Sequence, residues 1–160
     1  MTLIIRPAHP GDEGDILRLI RALADYEREP DAVEATEEGL AAHFFGPDPK
    51  VFAHVAEQDG HVVGIAVWFF NFSTWTGRHG LYLEDLFVDP AARGRGIARK
   101  LFEAMAAEAE AKDCARLDFQ VLDWNESAKQ VYRRLGARHQ AAWEPWRIDG
   151  PALASLQTPH

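Results

Sequence analysis

Cysteine, long apolar runs and excess positive charge are all scarce in this sequence. Cys114 is the one cysteine among 160 residues, so no disulfide forms within the chain, which fits a reducing compartment. No apolar run is long enough to cross a bilayer, and the apolar part of the N-terminus is too short for a signal peptide. The formal net charge of −8 argues against general affinity for nucleic acids or anionic membranes. We therefore expect a cytoplasmic protein without a nucleic-acid or membrane partner.

Common nucleotide and metal motifs are also missing. A P-loop requires G-x-x-x-x-G-K-S/T, which the sequence does not contain. A dinucleotide fold requires G-x-G-x-x-G directly after the first strand, whereas the glycine-rich turn here follows the fourth predicted strand and lacks the third glycine. The seven histidines show neither H-x-x-x-H nor H-E-x-x-H spacing, so we expect no metal site.

Apolar periodicity, caps and turns predict one domain over residues 1–160, built from alternating strands and helices. The predicted strands cover residues 3–6, 51–57, 61–72, 81–88 and 117–122, with one or two more from Arg138 onward. Asp59-Gly60 predicts a hairpin turn between the second and third strands. Five helices are predicted. They begin at Asp12 or Asp15, at Thr36, at Gly94, after the cap Asn125, and at Pro151. The fourth of them ends at Gly136. The order β α α β β β α β α β favours an α/β fold in which a mixed sheet of about six to seven strands carries helices on its faces.

The most informative segment is the turn between the fourth strand and the helix that follows it, where Arg93, Gly94, Arg95 and Gly96 are consecutive. The first turn of a helix has backbone N–H groups without intrahelical partners and carries partial positive charge. Glycine lets an anion approach that backbone closely. The segment therefore predicts a pyrophosphate site. An ordinary turn with solvated arginines is the alternative.

The pattern Arg93-x-x-Gly96-x-Ala98, placed after the fourth strand and before a second strand–helix unit, resembles the acetyl-CoA motif of the GCN5-related N-acetyltransferases (GNAT). Tyr82 to Val88, Asp123 to Glu126 and Tyr132 to Ala137 resemble the diamine (spermidine/spermine) branch of that family. The loop Ser73-Thr74-Trp75-x-Gly77 and the run Val121 to Asn125 are more similar to its thialysine-acetylating members. Polyamine enzymes carry an acid where this chain has Ser73, which argues against spermidine as the main substrate.

The resemblance implies that acetyl-CoA is the co-substrate and that it is held by two segments and a helix. One segment offers backbone groups to the pantetheine arm, the other binds the pyrophosphate, and a later helix contributes at its start and along its length. The implied cofactor-binding residues are Leu86, Phe87, Val88, Arg93, Gly94, Arg95, Gly96, Ile97, Ala98, Arg99, Asn125, Ser127 and Tyr132. Asn125 is also a good helix cap whatever its other role.

Two catalytic residues are implied by the same resemblance. Tyr132 matches the tyrosine that protonates the leaving thiolate, although it also fits as a packed ring on its helix. Glu84 matches the acid that takes a proton from the incoming ammonium, acting through water. Asp85 is adjacent, and alternation along a strand predicts that the two carboxylates point to opposite faces. We therefore assign the role to Glu84.

The resemblance also implies a small cationic acceptor and a homodimer with sites near the subunit interface. The first expected acceptors are thialysine- or lysine-like amino acids, followed by short diamines and polyamines. Implied substrate-lining residues are Tyr26, Glu27, Trp75, Glu84, Asp118, Gln120 and Glu144. Two alternatives remain open: acetylation of a protein N-terminus or lysine, and a CoA-binding sensor without turnover.

Overall fold

Five strands and five α-helices follow one another along residues 1–158, the part of the chain that this computed structural model describes. The strands are β1 (Leu3–Pro7), β2 (Phe52–Gln58), β3 (His61–Ser73), β4 (Arg78–Val88) and β5 (Leu117–Phe119). The helices are α1 (Glu13–Tyr26), α2 (Glu37–Phe45), α3 (Ile97–Ala111), α4 (Glu126–Arg134) and α5 (Gly150–Gln157), and a short 3-10 turn spans Pro90–Ala92. Thr36 caps α2 as predicted, because its hydroxyl accepts a hydrogen bond from the Gly39 amide at 3.0 Å.

The five strands form one mixed sheet in the order β1-β2-β3-β4-β5. The first four are antiparallel to their neighbours, and β5 runs parallel to β4. The turn at Asp59 and Gly60 joins β2 to β3, as its sequence predicts, with both residues at positive φ. The parallel pair requires a crossover, which α3 supplies.

Each face of the sheet is covered by helices. Ile16 and Leu19 of α1 and Phe44 of α2 pack with Val55 and Ile65 on one face. On the other face α3 contributes Ile97, Leu101 and Met105, which pack with sheet residues that include Trp68, Leu81 and Leu83. The α/β layering expected from the order of elements is therefore present.

His54 is buried on the face that α3 covers. Its Nδ1 accepts a hydrogen bond from Trp68 Nε1 at 3.1 Å, and its Nε2 lies 3.6 Å from Glu108 Oε1. Burial lowers the pKa of His54, and the negative charge of Glu108 offsets part of that effect. The imidazole is therefore held neutral, with Nε2 protonated because Nδ1 is the acceptor.

The strand prediction fails in the C-terminal part of the chain. No strand follows Arg138 within the described residues, and β5 ends at Phe119 rather than at residue 122, so the sheet has five strands. Trp143 and Trp146 are 68% and 90% exposed. Their apolar character imitates a strand, but no neighbouring strand pairs with them, and Pro145 has no amide to donate to a ladder.

The described chain divides into two compact units, residues 1–124 and the segment that begins at Asn125. The first contains the sheet with α1, α2 and α3. The second contains α4 and α5. Asn125 caps the start of α4, and Leu135 is its C-cap, followed by Gly136 at φ 91°. Helix α5 was predicted to begin at Pro151 and begins at Gly150. The single domain expected over residues 1–160 remains a prediction.

Candidate active site

The C-terminal half of β4 has an open edge. β5 pairs with β4 only at Leu81, Tyr82 and Leu83, and within residues 1–158 no strand pairs with the rest of β4 on that side. The Asp89 amide donates to the Val63 carbonyl at 2.8 Å, so the alternation of an antiparallel ladder turns the backbone groups of Leu86 and Val88 toward the open edge. An extended ligand can pair with them as an added strand does.

The glycine-rich turn that follows β4 extends three residues farther than predicted, because α3 begins at Ile97 and not at Gly94. Gly94 and Gly96 have φ of 81° and 74°, a left-handed region that favours glycine, and Gly96 is the N-cap of α3. A Cβ at either position would meet no atom within 4 Å, so the space beside the turn is open. Buried Ile97 and half-buried Ala98 anchor the helix start. The amides at this helix start are suited to binding an anion such as a pyrophosphate.

The three arginines of the turn differ in their surroundings. The Nε of Arg93 donates to the Val88 carbonyl at 3.0 Å, and its guanidinium lies over the rings of Tyr26 and Phe87, 5.6 and 5.3 Å from their centroids. Arg99 pairs with Glu103 at 3.1 Å on the surface of α3, and Arg95 is exposed. Arg93 therefore joins the end of α1 to the open edge, besides adding charge.

Glu84 is an extra residue in the ladder between β3 and β4. Val67 pairs with Asp85 and Trp68 pairs with Leu83, which leaves Glu84 without an opposite residue. Such a bulge interrupts the alternation of side chains. Asp85 therefore shares the sheet face of Val67, which α1 covers, and the prediction that simple alternation separates Glu84 from Asp85 is wrong.

The carboxylates near this bulge influence one another. Burial above all, and then the charges of Glu84 and Glu27, raise the pKa of Asp85 to about 6. Burial also raises the pKa of Glu27, the residue that ends α1. Glu84 itself is exposed. The structure thus adds Asp85 to the candidate residues. Strand alternation had set it aside in favour of Glu84, because the bulge depends on pairing with β3 and is not visible in the sequence.

Two other predicted substrate-lining residues of the first unit, Asp118 and Gln120, lie in or just after β5. Asp118 in β5 is paired with Arg116, whose Nε lies 3.0 Å from its carboxylate, and Gln120 follows β5 and is exposed. The charges of Glu84 and Asp118 add to burial in raising the pKa of Tyr82, which places both near that phenol. Asp118 is therefore close to the bulge, with its charge already balanced by Arg116.

Trp75 is not brought together with these carboxylates. It lies in the turn between β3 and β4 and is 84% exposed, whereas Glu84 is six residues beyond the start of β4, or about 20 Å along an extended strand. The Ser73 hydroxyl accepts from the amides of Trp75 and Thr76 at 3.2 and 3.3 Å, so it organises this turn.

Four predicted residues belong to the second unit. Asn125 Oδ1 accepts from the Ala128 amide and from the Ser127 hydroxyl, both at 3.3 Å, so its capping role is present. Tyr132 is half-buried on α4, and Glu144 is exposed in the segment between α4 and α5.

The described part of the chain contains neither a cluster of metal ligands nor a membrane-spanning helix. Among residues 1–158, no three His, Cys, Asp or Glu side chains are grouped as metal ligands. In the same residues, every helix is too short or too polar to span a bilayer.

Comparison with known proteins gives concordant results. The model of the acetyltransferase (GNAT) family matches residues 16–137. Thialysine N-epsilon-acetyltransferase of Sus scrofa is 41% identical over 97% of both chains, and the Bos taurus protein of the same name is 42% identical over 96% of both. The solved structure of an integron cassette protein from the mobile metagenome of V. cholerae superposes with a TM-score of 0.82 at 27% identity, covering 99% of both chains.

Proposed function

This chain belongs to the acetyltransferase (GNAT) family and is an N-acetyltransferase, and we propose that it transfers acetyl directly from acetyl-CoA to a primary amine of a small cationic acceptor. The family and the α/β fold predicted from the sequence are confirmed. Thialysine- or lysine-like amino acids are the proposed first acceptors, ahead of diamines and polyamines, and the reaction is proposed to form no covalent enzyme intermediate.

The open edge of β4 beside the left-handed glycine turn carries this proposal. Backbone groups of Leu86 and Val88 on that edge are suited to pairing with the amide-containing arm of acetyl-CoA. The turn at Gly94 and Gly96, with open space at both positions, is suited to its pyrophosphate. Acetyl-CoA supplies the activated thioester acyl group, and this chain's residues fix its orientation.

The carboxylates around the bulge serve the acceptor side of the reaction. Glu27, Glu84 and Asp85 together attract an ammonium group, which must lose a proton before its nitrogen can attack. We propose that the Glu84–Asp85 pair accepts that proton. Asp85, with a pKa of about 6, is ionised at neutral pH and is a stronger base than an ordinary aspartate.

Tyr132 is the proposed acid that protonates the departing thiolate, since a phenol is a suitable donor to that group. Tyr132→Phe removes the hydroxyl and keeps the packed ring. We expect kcat to fall by about 10²-fold or more, with affinity for acetyl-CoA unchanged. Steady-state kinetics and calorimetric titration with CoA measure the two effects, and a variant with wild-type kcat would remove Tyr132 from the mechanism.

We also propose a cytoplasmic homodimer. Trp75 lies far along the strand from the carboxylates of its own chain, and Phe72 beside the same turn is 58% exposed. A second copy that covers these rings accounts for both observations, because large exposed aromatics are favoured at interfaces. Sedimentation equilibrium measures the mass, and a monomer at assay concentrations would contradict the dimer.

The experiment that tests the activity is a turnover screen with acetyl-CoA. The acceptors are thialysine, lysine, putrescine, spermidine, a peptide with a free N-terminus and an N-blocked peptide that contains lysine, with a reaction lacking acceptor as control. Turnover of the small amines supports the proposal. Turnover of the peptides alone would identify a protein acetyltransferase, and CoA binding without any turnover would identify a sensor.

A further inference from the structure

Arg28 presents an exposed guanidinium against an aromatic ring in the first unit. Its Cζ lies 4.0 Å from the centroid of the Trp124 ring, which in turn lies 6.0 Å from that of Tyr26. Within residues 1–158, no carboxylate oxygen lies within 4 Å of this guanidinium. Arginine stacked on a ring keeps its planar edge available, and that edge matches the geometry of a carboxylate.

Arg28 is connected through a row of contacts to the open edge of β4. The rings of Trp124 and Tyr26 are neighbours, and Arg93 lies over both Tyr26 and Phe87. Phe87 is two residues beyond Asp85 on the same strand. The row of contacts therefore links Arg28 to the strand that carries Glu84 and Asp85.

The backbone of Arg28 adopts a conformation that a non-glycine residue rarely takes. Its φ is 66°, in the left-handed region, directly after the residue that ends α1. Glycine is favoured at such a position. An arginine there carries a conformational cost, and such costs are concentrated at functional sites.

Charges of opposite sign therefore lie at the two ends of this region. Glu84 and Asp85 on β4 form its negative end, Arg28 is an exposed cation at the other, and Glu27, whose charge also acts on Asp85, lies between them. A diamine that binds with one ammonium at the carboxylates meets like charge at Arg28. An amino acid with a side-chain amine carries a carboxylate there instead.

Building on the proposed function, we propose that Arg28 binds the carboxylate of an amino-acid acceptor and thereby makes the enzyme prefer lysine-like amino acids to the corresponding diamines. The Arg28 guanidinium, which is oriented by stacking on Trp124, would donate a charge-assisted hydrogen bond to the carboxylate of the acceptor. Arg28 is thus a specificity-determining residue, and the proton transfer remains with the Glu84–Asp85 pair.

Three acceptors of matched length test this assignment: thialysine, thialysine amide, and bis(2-aminoethyl) sulfide, which is thialysine without its carboxylate. In the wild type we expect kcat/KM for thialysine to exceed the other two by about tenfold or more. Arg28→Gln should remove most of that preference through a higher KM for thialysine, and should leave the two acceptors without a carboxylate unchanged or improved. Arg21→Gln, an exposed arginine on α1, is the matched control and should keep the wild-type ratios.

Arg28→Gly separates recognition from folding. It relieves the left-handed strain, so we expect a melting temperature at or above that of the wild type together with the same loss of preference. An equal loss of kcat/KM for all three acceptors, or an unchanged ratio in Arg28→Gln, would overturn the assignment. Absence of turnover with all three acceptors in the wild type would instead overturn the proposed acceptor class, and the role of Arg28 with it.

Discussion

Replacing Asp85 by asparagine should stabilise the folded protein at neutral pH while it lowers acetyl transfer. Burial and the charges of Glu84 and Glu27 raise the pKa of Asp85 from 3.8 to about 6. Between these values the folded protein holds a proton that the unfolded chain has lost. The free energy of unfolding therefore falls as pH rises through this window, and the full cost is present at neutral pH.

The size of the effect follows from that difference in pKa. About two pKa units at 1.36 kcal/mol each give at most about 3 kcal/mol. Because Asp85 is not completely buried, we expect asparagine to add about 1–3 kcal/mol to the free energy of unfolding at pH 7.5. Below pH 3.8 the carboxyl is protonated in both states, and the advantage of the variant should vanish.

Urea unfolding of wild type and Asp85→Asn at several pH values between about 4 and 7.5 measures this effect. Asp31→Asn, at an exposed carboxylate, is the control and should not reproduce the pH dependence. Steady-state kinetics should show the stabilised variant to be less active. A stability difference that does not change with pH, or a variant less stable than wild type at pH 7.5, would refute the argument.

Glu84 and Glu27 do not raise the pKa of Asp85 equally. Glu84 raises the pKa of Asp85 more than Glu27 does. Glu84→Gln should therefore move the acid limb of the kcat/KM profile to lower pH by more than Glu27→Gln does. Equal shifts, or the reverse order, would show that another group titrates in this limb.

Two further predictions concern the glycine turn and the buried imidazole. Gly96→Ala forces a left-handed alanine, so it should cost roughly 1–2 kcal/mol and weaken CoA binding in a titration, whereas Gly60→Ala in the hairpin should cost stability alone. The contribution of His54 to stability, taken separately from that of Asp85, should fall as pH drops below 6.5, because the unfolded chain then protonates an imidazole that burial keeps neutral in the folded protein. His54→Asn retains an acceptor for Trp68 Nε1 and should reduce this pH dependence in thermal melts, while exposed His61→Asn should not.

Local signals in the sequence predicted most of the first unit. The cap at Thr36, the hairpin at Asp59 and Gly60, and the helix that begins after Gly96 each depend on a few consecutive residues, and all are present. The apolar residues near Trp143 carried the same kind of signal and were misleading. A strand exists only when a partner strand binds it, and that condition is not local.

The features that organise the candidate site depend on residues far apart in the chain. The bulge at Glu84 exists only in register with β3, and a run of consecutive residues does not reveal it. The contact between Arg28 and Trp124 joins positions 96 residues apart. The resemblance supplied Glu84 as a candidate, but the raised pKa of Asp85 requires the packing that surrounds it.

The half-paired strand β4 also bears on the solubility of this protein. A sheet edge that stays open for a ligand is an edge onto which another polypeptide can add a strand, the first step of many aggregation processes. Arg93 already occupies the Val88 carbonyl and so blunts one acceptor on that edge. The remaining backbone groups near Leu86 are covered when a ligand pairs with them. A ligand that pairs with this edge is therefore expected to protect the protein from self-association as well as to take part in its reaction.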